Sequence, residues 1–280
     1  MAEGEDLEDD GPGVEADIIQ TETNDRADPR LLVEGTIPGD LLRKYTFASY
    51  GRAVSVLAHG FPAEFAEIVQ ALRDFSITTD MIRRPGGNES EIPKAISAIL
   101  RPNGWHETTI QGSLVITRGW KELVGYTKAG KPKFEKRSEN IERPNYFDGH
   151  KIDFVKGRVA FDFEWNSKDQ TFDRDLYAFD AFTRAGAIDV AVIVTRDTSM
   201  TPIFHELGTA LKKDGTPAVK DGQPVKLAPK YGASTTWWGK LIYRLNAGRN
   251  GGCPVLAVGI TPECIADLPA WRAAHSAAEL

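Results

Sequence analysis

The stretch KIDFVKGRVAFDFEW, residues 151–165, predicts two short strands joined by a tight turn. Side chains alternate between the two faces of a strand, so the second strand has one apolar face and one face that carries carboxylates. The apolar face consists of Val159, Phe161, Phe163 and Trp165, and the opposite face of Ala160, Asp162 and Glu164. Two acidic side chains therefore share a face, separated by about 6–7 Å of strand rise.

The position of the turn determines where Asp153, on the first strand, lies relative to the acids of the second strand. If Lys156-Gly157 forms a two-residue turn, Asp153 faces Ala160 and lies diagonal to Asp162 on the same face. The sequence then predicts three carboxylates that converge at one place on the sheet.

This acidic face has two interpretations. It is either the solvated side of an amphipathic hairpin or a metal site. Like charges on one face of a sheet repel one another, and a cation between them removes that repulsion. Hard oxygen ligands select Mg²⁺ or Mn²⁺, which are suited to activating water in phosphodiester cleavage. The spacing alone leaves both interpretations open.

Helices and strands alternate on either side of this hairpin. Upstream, the pattern predicts two helices, one beginning near Pro62 and one following Ser90. Downstream, it predicts a helix over about 171–185, a strand Ile188–Val194, a helix over about 235–248 and a strand Pro254–Ile260. Strands that are apolar on both faces need cover on both sides. The sequence therefore predicts an α/β fold with a central mixed sheet flanked by helices.

The composition excludes several classes of protein. The 280-residue chain has 41% apolar and 26% charged residues, which rules out collagen-like, coiled-coil and wholly disordered chains. Residues 1–30 contain eleven acidic and two basic residues, which predicts a disordered acidic tail. We expect residues 31–280 to form a single domain with basic loop insertions near 118–140 and 208–231. No stretch reads as a signal peptide or membrane span, which predicts a cytoplasmic protein without a membrane partner.

Two longer stretches carry a resemblance to a known family. They are DFVKGRVAFDFEWNSKDQTFDRDLYAFDAFTRAGAIDVAVIVTR, residues 153–196, and YGASTTWWGKLIYRLNAGRNGGCPVLAVGITP, residues 231–262. Both are similar to the BglII/BstYI family of type II restriction endonucleases, and the order acid, turn, acid-x-Glu looks like the PD-(D/E)xK nuclease core. The resemblance covers roughly residues 88–106 and 150–262. It implies a restriction-endonuclease-like fold, Mg²⁺-dependent hydrolysis of double-stranded DNA, a homodimer, and a cognate DNA methyltransferase within a restriction-modification system.

Position by position, the resemblance implies roles for the three acids. Asp153 and Asp162 match the metal-binding positions, and Glu164 matches the third position of the catalytic motif. The sequence departs from the family twice. The second acid is Asp where Glu is usual, and the third position is Glu where the superfamily has Lys and BglII-like members have Gln.

Three further positions are candidates for the same site. Lys168 could supply the missing lysine from a displaced position, although a solvated lysine is the simpler interpretation. The family also places a polar residue on an upstream helix near the metal, and Glu91, or less favourably Glu89, falls in that region. Both acids also suit the first turn of a helix, where they complement its dipole.

Candidate DNA contacts lie in loops and near a helix start. Base readout needs donors and acceptors that reach the major groove, and the loop at 196–199 and the basic insertions could provide them. Hydroxyls and cations near the helix at 235–248 could hold phosphates, although Ser234 or Thr235 also suits a helix cap. The basic segment at 118–140 equally fits a solvated hairpin. The candidate residues are Lys168, Arg196, Ser199, Lys212, Lys213, Ser234, Thr235 and Lys240.

Three functions are consistent with these observations. The first is a Mg²⁺-dependent type II restriction endonuclease. The second is a nuclease of DNA repair or recombination that lacks a fixed recognition site. The third is a DNA-binding module whose catalytic face has decayed, which the unusual Asp162 and Glu164 keep open.

Overall fold

A computed structural model describes residues 25–86 and 90–276. The predicted acidic tail falls largely on residues 1–24 and Glu89 falls in 87–89, so both predictions lie outside the described residues. The first described residues already make hydrogen bonds to the rest of the chain. The Asp28 carboxylate accepts hydrogen bonds from Ser49 Oγ at 2.6 Å and from Arg52 N at 2.7 Å. Ordered contacts therefore begin upstream of residue 31.

Four helices agree with the predicted ones to within a few residues, namely Pro62–Asp74, Glu91–Leu100, Thr171–Arg184 and Trp238–Asn246. Short helical turns also occur at Ala53–Ser55, Val56–Gly60, Arg101–Asn103, Ala228–Tyr231 and Pro262–Cys264. Over the described ranges, no helix has the length and apolar character needed to cross a membrane. The helices are α1 (Arg30–Glu34), α2 (Gly39–Lys44), α3 (Pro62–Asp74), α4 (Thr79–Arg83), α5 (Glu91–Leu100), α6 (Thr171–Arg184), α7 (Met200–Glu206), α8 (Trp238–Asn246) and α9 (Leu268–Ser276).

The strands form the predicted mixed sheet. They are β1 (Tyr45–Tyr50), β2 (His106–Tyr126), β3 (Pro132–Lys156), β4 (Val159–Glu164), β5 (Val190–Arg196), β6 (Val219–Lys220), β7 (Gln223–Pro224) and β8 (Val255–Ile260). Six of them form one sheet in the order β1-β8-β5-β4-β3-β2. The pairs β4–β5 and β5–β8 are parallel, whereas β1–β8 and β3–β4 are antiparallel. Every residue of β4, β5 and β8 is buried, which is typical of a sheet covered on both faces.

The turn between β3 and β4 corrects the predicted register. Lys156 pairs with Val159, so the turn is Gly157–Arg158 and not Lys156–Gly157. Gly157 has a φ of +55°, a conformation that glycine adopts at little cost. Because the turn moves by one residue, Asp153 lies opposite Asp162 and not diagonal to it. The two acids remain on the same face, since the partner position shifts by two residues.

The chain divides into two compact units, Thr108–Ile152 and the chain on either side of it. Thr108–Ile152 consists mainly of β2 and β3, which pair as a hairpin and span 21 and 25 residues in all. Thr127 N donates to Lys131 O at 2.8 Å and closes the turn. The basic insertion predicted near 118–140 is therefore the turn half of a longer hairpin. The second insertion, near 208–231, contains β6, β7 and a short helical turn.

Candidate active site

Aromatic packing fixes the direction in which β4 turns its acids. The Phe161 ring packs edge to face on Trp105 at a centroid distance of 6.3 Å, and Phe163 packs on Phe75 at 5.5 Å. These contacts commit one face of β4 to the hydrophobic core. The alternate positions, which carry the acids, therefore face the opposite side of the sheet.

Asp153 and Asp162 lie together, as the sequence predicts. Asp153 N donates to Asp162 Oδ1 at 2.8 Å, and Phe163 N donates to Asp153 Oδ2 at 3.0 Å. Each carboxylate thus accepts a hydrogen bond from the backbone of the neighbouring strand, just beyond the last regular pair, Phe154–Phe161. These bonds fix both carboxylates in place.

A fourth acid, which the sequence analysis missed, comes from α6. Asp175 is 2% exposed, and one of its carboxylate oxygens lies within 4.8 Å of an Asp162 oxygen. Asp175 lies three residues after Phe172 and four before Phe179, and both phenylalanines belong to the buried stripe of α6. An acid at a core position of an amphipathic helix is the signal that could have revealed it.

Burial and repulsion between charges raise the pKa values of Asp153, Asp162 and Glu164. Desolvation is the largest cause for Asp153, Asp162 and Glu164 alike, and the charge of Asp175 adds to the rise in all three. The pKa of Glu164 rises to about 8, although a hydrogen bond from Ser167 opposes the rise. Near neutral pH the cluster therefore cannot carry its full negative charge unless a cation is close by.

The cluster borders a cavity of about 600 Å³. Asp153 and Glu164 line this cavity, and the other polar side chains around it include Ser90, Ser97, Arg101, Glu107, Asn166, Ser167 and Lys230. Two buried oxygens, Asp162 Oδ2 and Glu164 Oε2, accept no hydrogen bond from the described residues. Buried acceptors of this kind are costly unless a cation or water satisfies them. A set of carboxylate oxygens fits a hard divalent cation.

The helix α5 contributes a hydroxyl to the cavity and not the predicted acid. Glu91 is exposed in the first turn of α5, 3.5 Å from Arg84 Nη1, and does not line the cavity. Ser97, on the same helix, does line it. The structure therefore favours the helix-dipole interpretation of Glu91 over the catalytic one.

Lys168 does not fill the place of the motif lysine. Its side chain is exposed and does not line the cavity, and the residue forms a backbone bridge with Thr235. Lys230 lines the cavity instead, where its Nζ donates to Ile82 O at 3.1 Å and burial lowers its pKa to about 8.

Among the predicted DNA contacts, Ser199, Lys212, Lys213 and Ser234 are exposed. Ser199 Oγ donates to Asp197 Oδ1 at 2.6 Å, which stabilises the loop after β5. These four residues remain candidate DNA contacts.

Arg196 does not fit the predicted role in base readout, because it is 2% exposed. Its Nη2 donates to Thr235 Oγ1 at 2.6 Å and to Tyr231 O at 3.1 Å, and its guanidinium lies 5.4 Å from the centre of the Phe204 ring. Arg196 and Thr235 therefore hold a loop in place. Trp237 is the N-cap residue of α8, so neither Ser234 nor Thr235 caps this helix.

Lys240 is likewise buried and is not free to bind a phosphate. Its Nζ lies 2.8 Å from Asp169 Oδ2, and its side chain is only 5% exposed. Arg244, one turn later on α8, pairs with Asp173 at 2.8 Å. These ion pairs join α8 to α6 and to the segment that precedes α6, so the basic face of α8 has a structural role.

Replacing Lys240 by Met should destabilise the fold without weakening DNA binding. The substitution leaves Asp169 with only its longer contact to Arg244, at 3.7 Å, and removing one partner of a buried ion pair costs about 3–5 kcal/mol. Because Asp169 is 26% exposed, we expect about 2–3 kcal/mol, measured by urea unfolding. The control is Lys168→Met at an exposed position, which should change stability by less than about 0.5 kcal/mol. Unchanged stability with weaker DNA binding would restore the phosphate-binding role of Lys240.

Fold and site together define an α/β protein in which four carboxylates gather beside a polar cavity. The chain belongs to the BglII restriction endonuclease family, because the family model described as "Restriction endonuclease BglII/BglIII" matches residues 45–260. The matched range contains the whole carboxylate cluster. Membership implies a nuclease that binds DNA. A comparison with curated proteins found no match.

Proposed function

We propose that the chain is a Mg²⁺-dependent type II restriction endonuclease with a PD-(D/E)xK core, which hydrolyses double-stranded DNA at a fixed sequence. One observation carries the proposal. Asp153, Asp162, Glu164 and Asp175 gather beside one cavity in a chain that belongs to a restriction endonuclease family. A decayed binding module would have no need to keep four mutually repelling acids in its interior.

Asp153 and Asp162 would hold the cation, with Asp175 beside Asp162 as a further oxygen ligand. Oxygen ligands of this kind favour Mg²⁺ or Mn²⁺ over softer metals. When bound, such a cation supplies positive charge beside the phosphate that is attacked and makes a neighbouring water more acidic.

The hydrolysis itself divides into tasks for residues of this chain. An oxygen of water forms a bond to phosphorus, one P–O ester bond breaks, and the departing oxygen takes up a proton. Glu164 Oε2 has no hydrogen-bond donor among the described residues and can accept the proton that water loses. Arg101 and Lys230, which also line the cavity, can bind the phosphate oxygens.

The biological setting belongs to the same proposal. Cutting both strands of a palindromic site requires two active sites related by a two-fold axis, which a homodimer provides. The helix α6 carries Tyr177, which is 73% exposed and available to such an interface. A cytoplasmic nuclease with a fixed site would also need a cognate methyltransferase to protect the host DNA.

The test is cleavage of unmethylated phage DNA by the purified protein in Mg²⁺, followed by sequencing of the fragment ends. We expect discrete fragments with one shared end sequence, and no cleavage in EDTA. A metal-dependent smear would favour a nuclease without a fixed site. Binding without cleavage in either Mg²⁺ or Mn²⁺ would favour the decayed module.

A further inference from the structure

We propose that the hairpin Thr108–Ile152 is a DNA-binding arm that contacts duplex flanking the cleavage site, an inference that rests on the proposed function. Residues 31–280 have a net charge of +3, whereas the hairpin alone has nine basic and five acidic residues, a net charge of +4. The remainder of residues 31–280 is close to neutral, at −1. The positive charge is therefore concentrated in one hairpin, as a polyanionic partner requires.

Four lysines of the hairpin are available to bind a partner. Arg118 pairs with Glu139 at 2.6 Å, and Arg137 pairs with Glu122 at 2.7 Å, so these arginines hold the two strands together. Four exposed lysines have no acid within ion-pair distance among the described residues, namely Lys121, Lys128, Lys131 and Lys136. Two of them, Lys128 and Lys131, lie at the turn.

Several large apolar side chains on the hairpin are also exposed to solvent. Trp120 is 43% exposed, Phe134 54% and Tyr126 68%, and Tyr126 lies directly before the turn. A two-stranded hairpin is marginally stable by itself, and large exposed apolar groups mark an interaction surface. Rings interleaved with lysines suit a partner that offers both phosphates and apolar sugar or base edges.

The hairpin is long enough to span more than one helical turn of DNA. A strand of 21 residues, such as β2, has a contour length of about 70 Å at about 3.3 Å per residue. This length exceeds one helical turn of DNA, about 34 Å. The major groove admits a two-stranded ribbon, and β3 continues from the hairpin to Asp153. An arm of this length can therefore contact more than one helical turn of duplex.

DNA explains the surface better than a second copy of the hairpin. Two hairpins, each with a net charge of +4, would repel one another wherever their lysines met. A duplex instead neutralises the lysines and releases counterions.

The test replaces Lys121, Lys128, Lys131 and Lys136 together by Gln and compares a 60-base-pair duplex with a 16-base-pair duplex that contains the cleavage site. We expect the affinity for the long duplex to fall at least about tenfold at low salt. The slope of log K against log salt should become shallower by up to about 3.6, or about 0.9 for each lost phosphate contact. Cleavage of the short duplex should change less than about twofold.

The matched control removes four positive charges elsewhere, at the exposed residues Arg30, Arg43, Arg158 and Arg184, and should leave the difference between the two duplexes unchanged. Hydrogen exchange of the wild-type protein gives a second readout. Amides of residues 108–152 should become protected on the long duplex and not on the short one.

The outcomes separate the arm from the nuclease. If the fourfold lysine variant keeps the wild-type affinity and the wild-type salt slope, the proposal that the hairpin binds DNA is wrong, even if the enzyme cuts DNA. A change from dimer to monomer in that variant, with DNA affinity intact, would overturn it in favour of a contact between copies. If the wild-type protein cuts no DNA but loses long-duplex affinity with the lysines, the proposed function fails and the arm stands.

Discussion

Replacing Asp153 by Asn should reduce the rate of DNA cleavage by about a thousandfold or more, because the site loses a negative charge and an anionic ligand for the cation. The fold should persist. The Asn side-chain oxygen can still accept the hydrogen bond from Phe163 N, which is 3.0 Å from Asp153 Oδ2. The removed charge also relieves repulsion with Asp162 and Asp175. The measurement is single-turnover cleavage in Mg²⁺, with urea unfolding to verify stability.

The matched control is Asp189→Asn, at a partly exposed carboxylate that pairs with Arg158 at 2.6 Å and does not line the cavity. It should cleave within about twofold of the wild-type rate, because a surface ion pair contributes little to stability. Cleavage by Asp153→Asn within tenfold of the wild-type rate would remove the carboxylate cluster from the mechanism.

The metal-free protein should be less stable at pH 8 than at pH 6. Desolvation, followed by repulsion from Asp175, raises the pKa of Glu164 from 4.5 to about 8. A carboxyl group with a raised pKa in the folded state binds its proton more tightly there than in the unfolded chain. Its stabilising contribution is therefore full below pH 4.5 and is lost as the pH rises towards 8. The slope from this group alone is at most roughly 1.4 kcal/mol per pH unit.

Urea unfolding in EDTA at half-unit steps from pH 5 to 8 measures this slope. Glu164→Gln should be more stable than the wild type at pH 8 and should have a flatter profile, because its amide does not ionise. Adding Mg²⁺ should stabilise the wild type most at pH 8, where the carboxylates are most fully charged. A wild-type profile that is flat between pH 6 and 8, or a Glu164→Gln profile of equal slope, would contradict the electrostatics of the cluster.

Alternation along β4 was enough to predict that Asp162 and Glu164 share a face, because a strand has a strict period of two. The register between β3 and β4 was not predictable at the same level. Two adjacent dipeptides, Lys156-Gly157 and Gly157-Arg158, could each form the turn, and the local sequence does not decide between them. The prediction that Asp153 lies on the same face as Asp162 is confirmed, because both possible turns place Asp153 on that face.

The environments of Asp175 and Arg196 could not be predicted from the sequence. Asp175 lies among aromatic residues on the apolar stripe of α6, so its sequence position was informative, but its proximity to Asp162 depends on how α6 packs on the sheet. Arg196 ends a buried strand, and a charged residue at that place suggests exposure. Its burial depends on Phe204 and Tyr231, which come together only in the tertiary structure.

Iron-directed cleavage of the protein backbone tests most directly whether Asp153, Asp162, Glu164 and Asp175 hold a divalent cation. Fe²⁺ in place of Mg²⁺, with ascorbate and peroxide, produces radicals that cut the chain close to the bound ion, and mass spectrometry locates the cuts. We expect cuts near Asp153, near Asp162 and Glu164, and near Asp175, all suppressed by excess Mg²⁺ and absent from Asp162→Asn. Cuts confined to other parts of the chain, or cuts at these residues that Mg²⁺ does not suppress, would contradict a metal site at these acids.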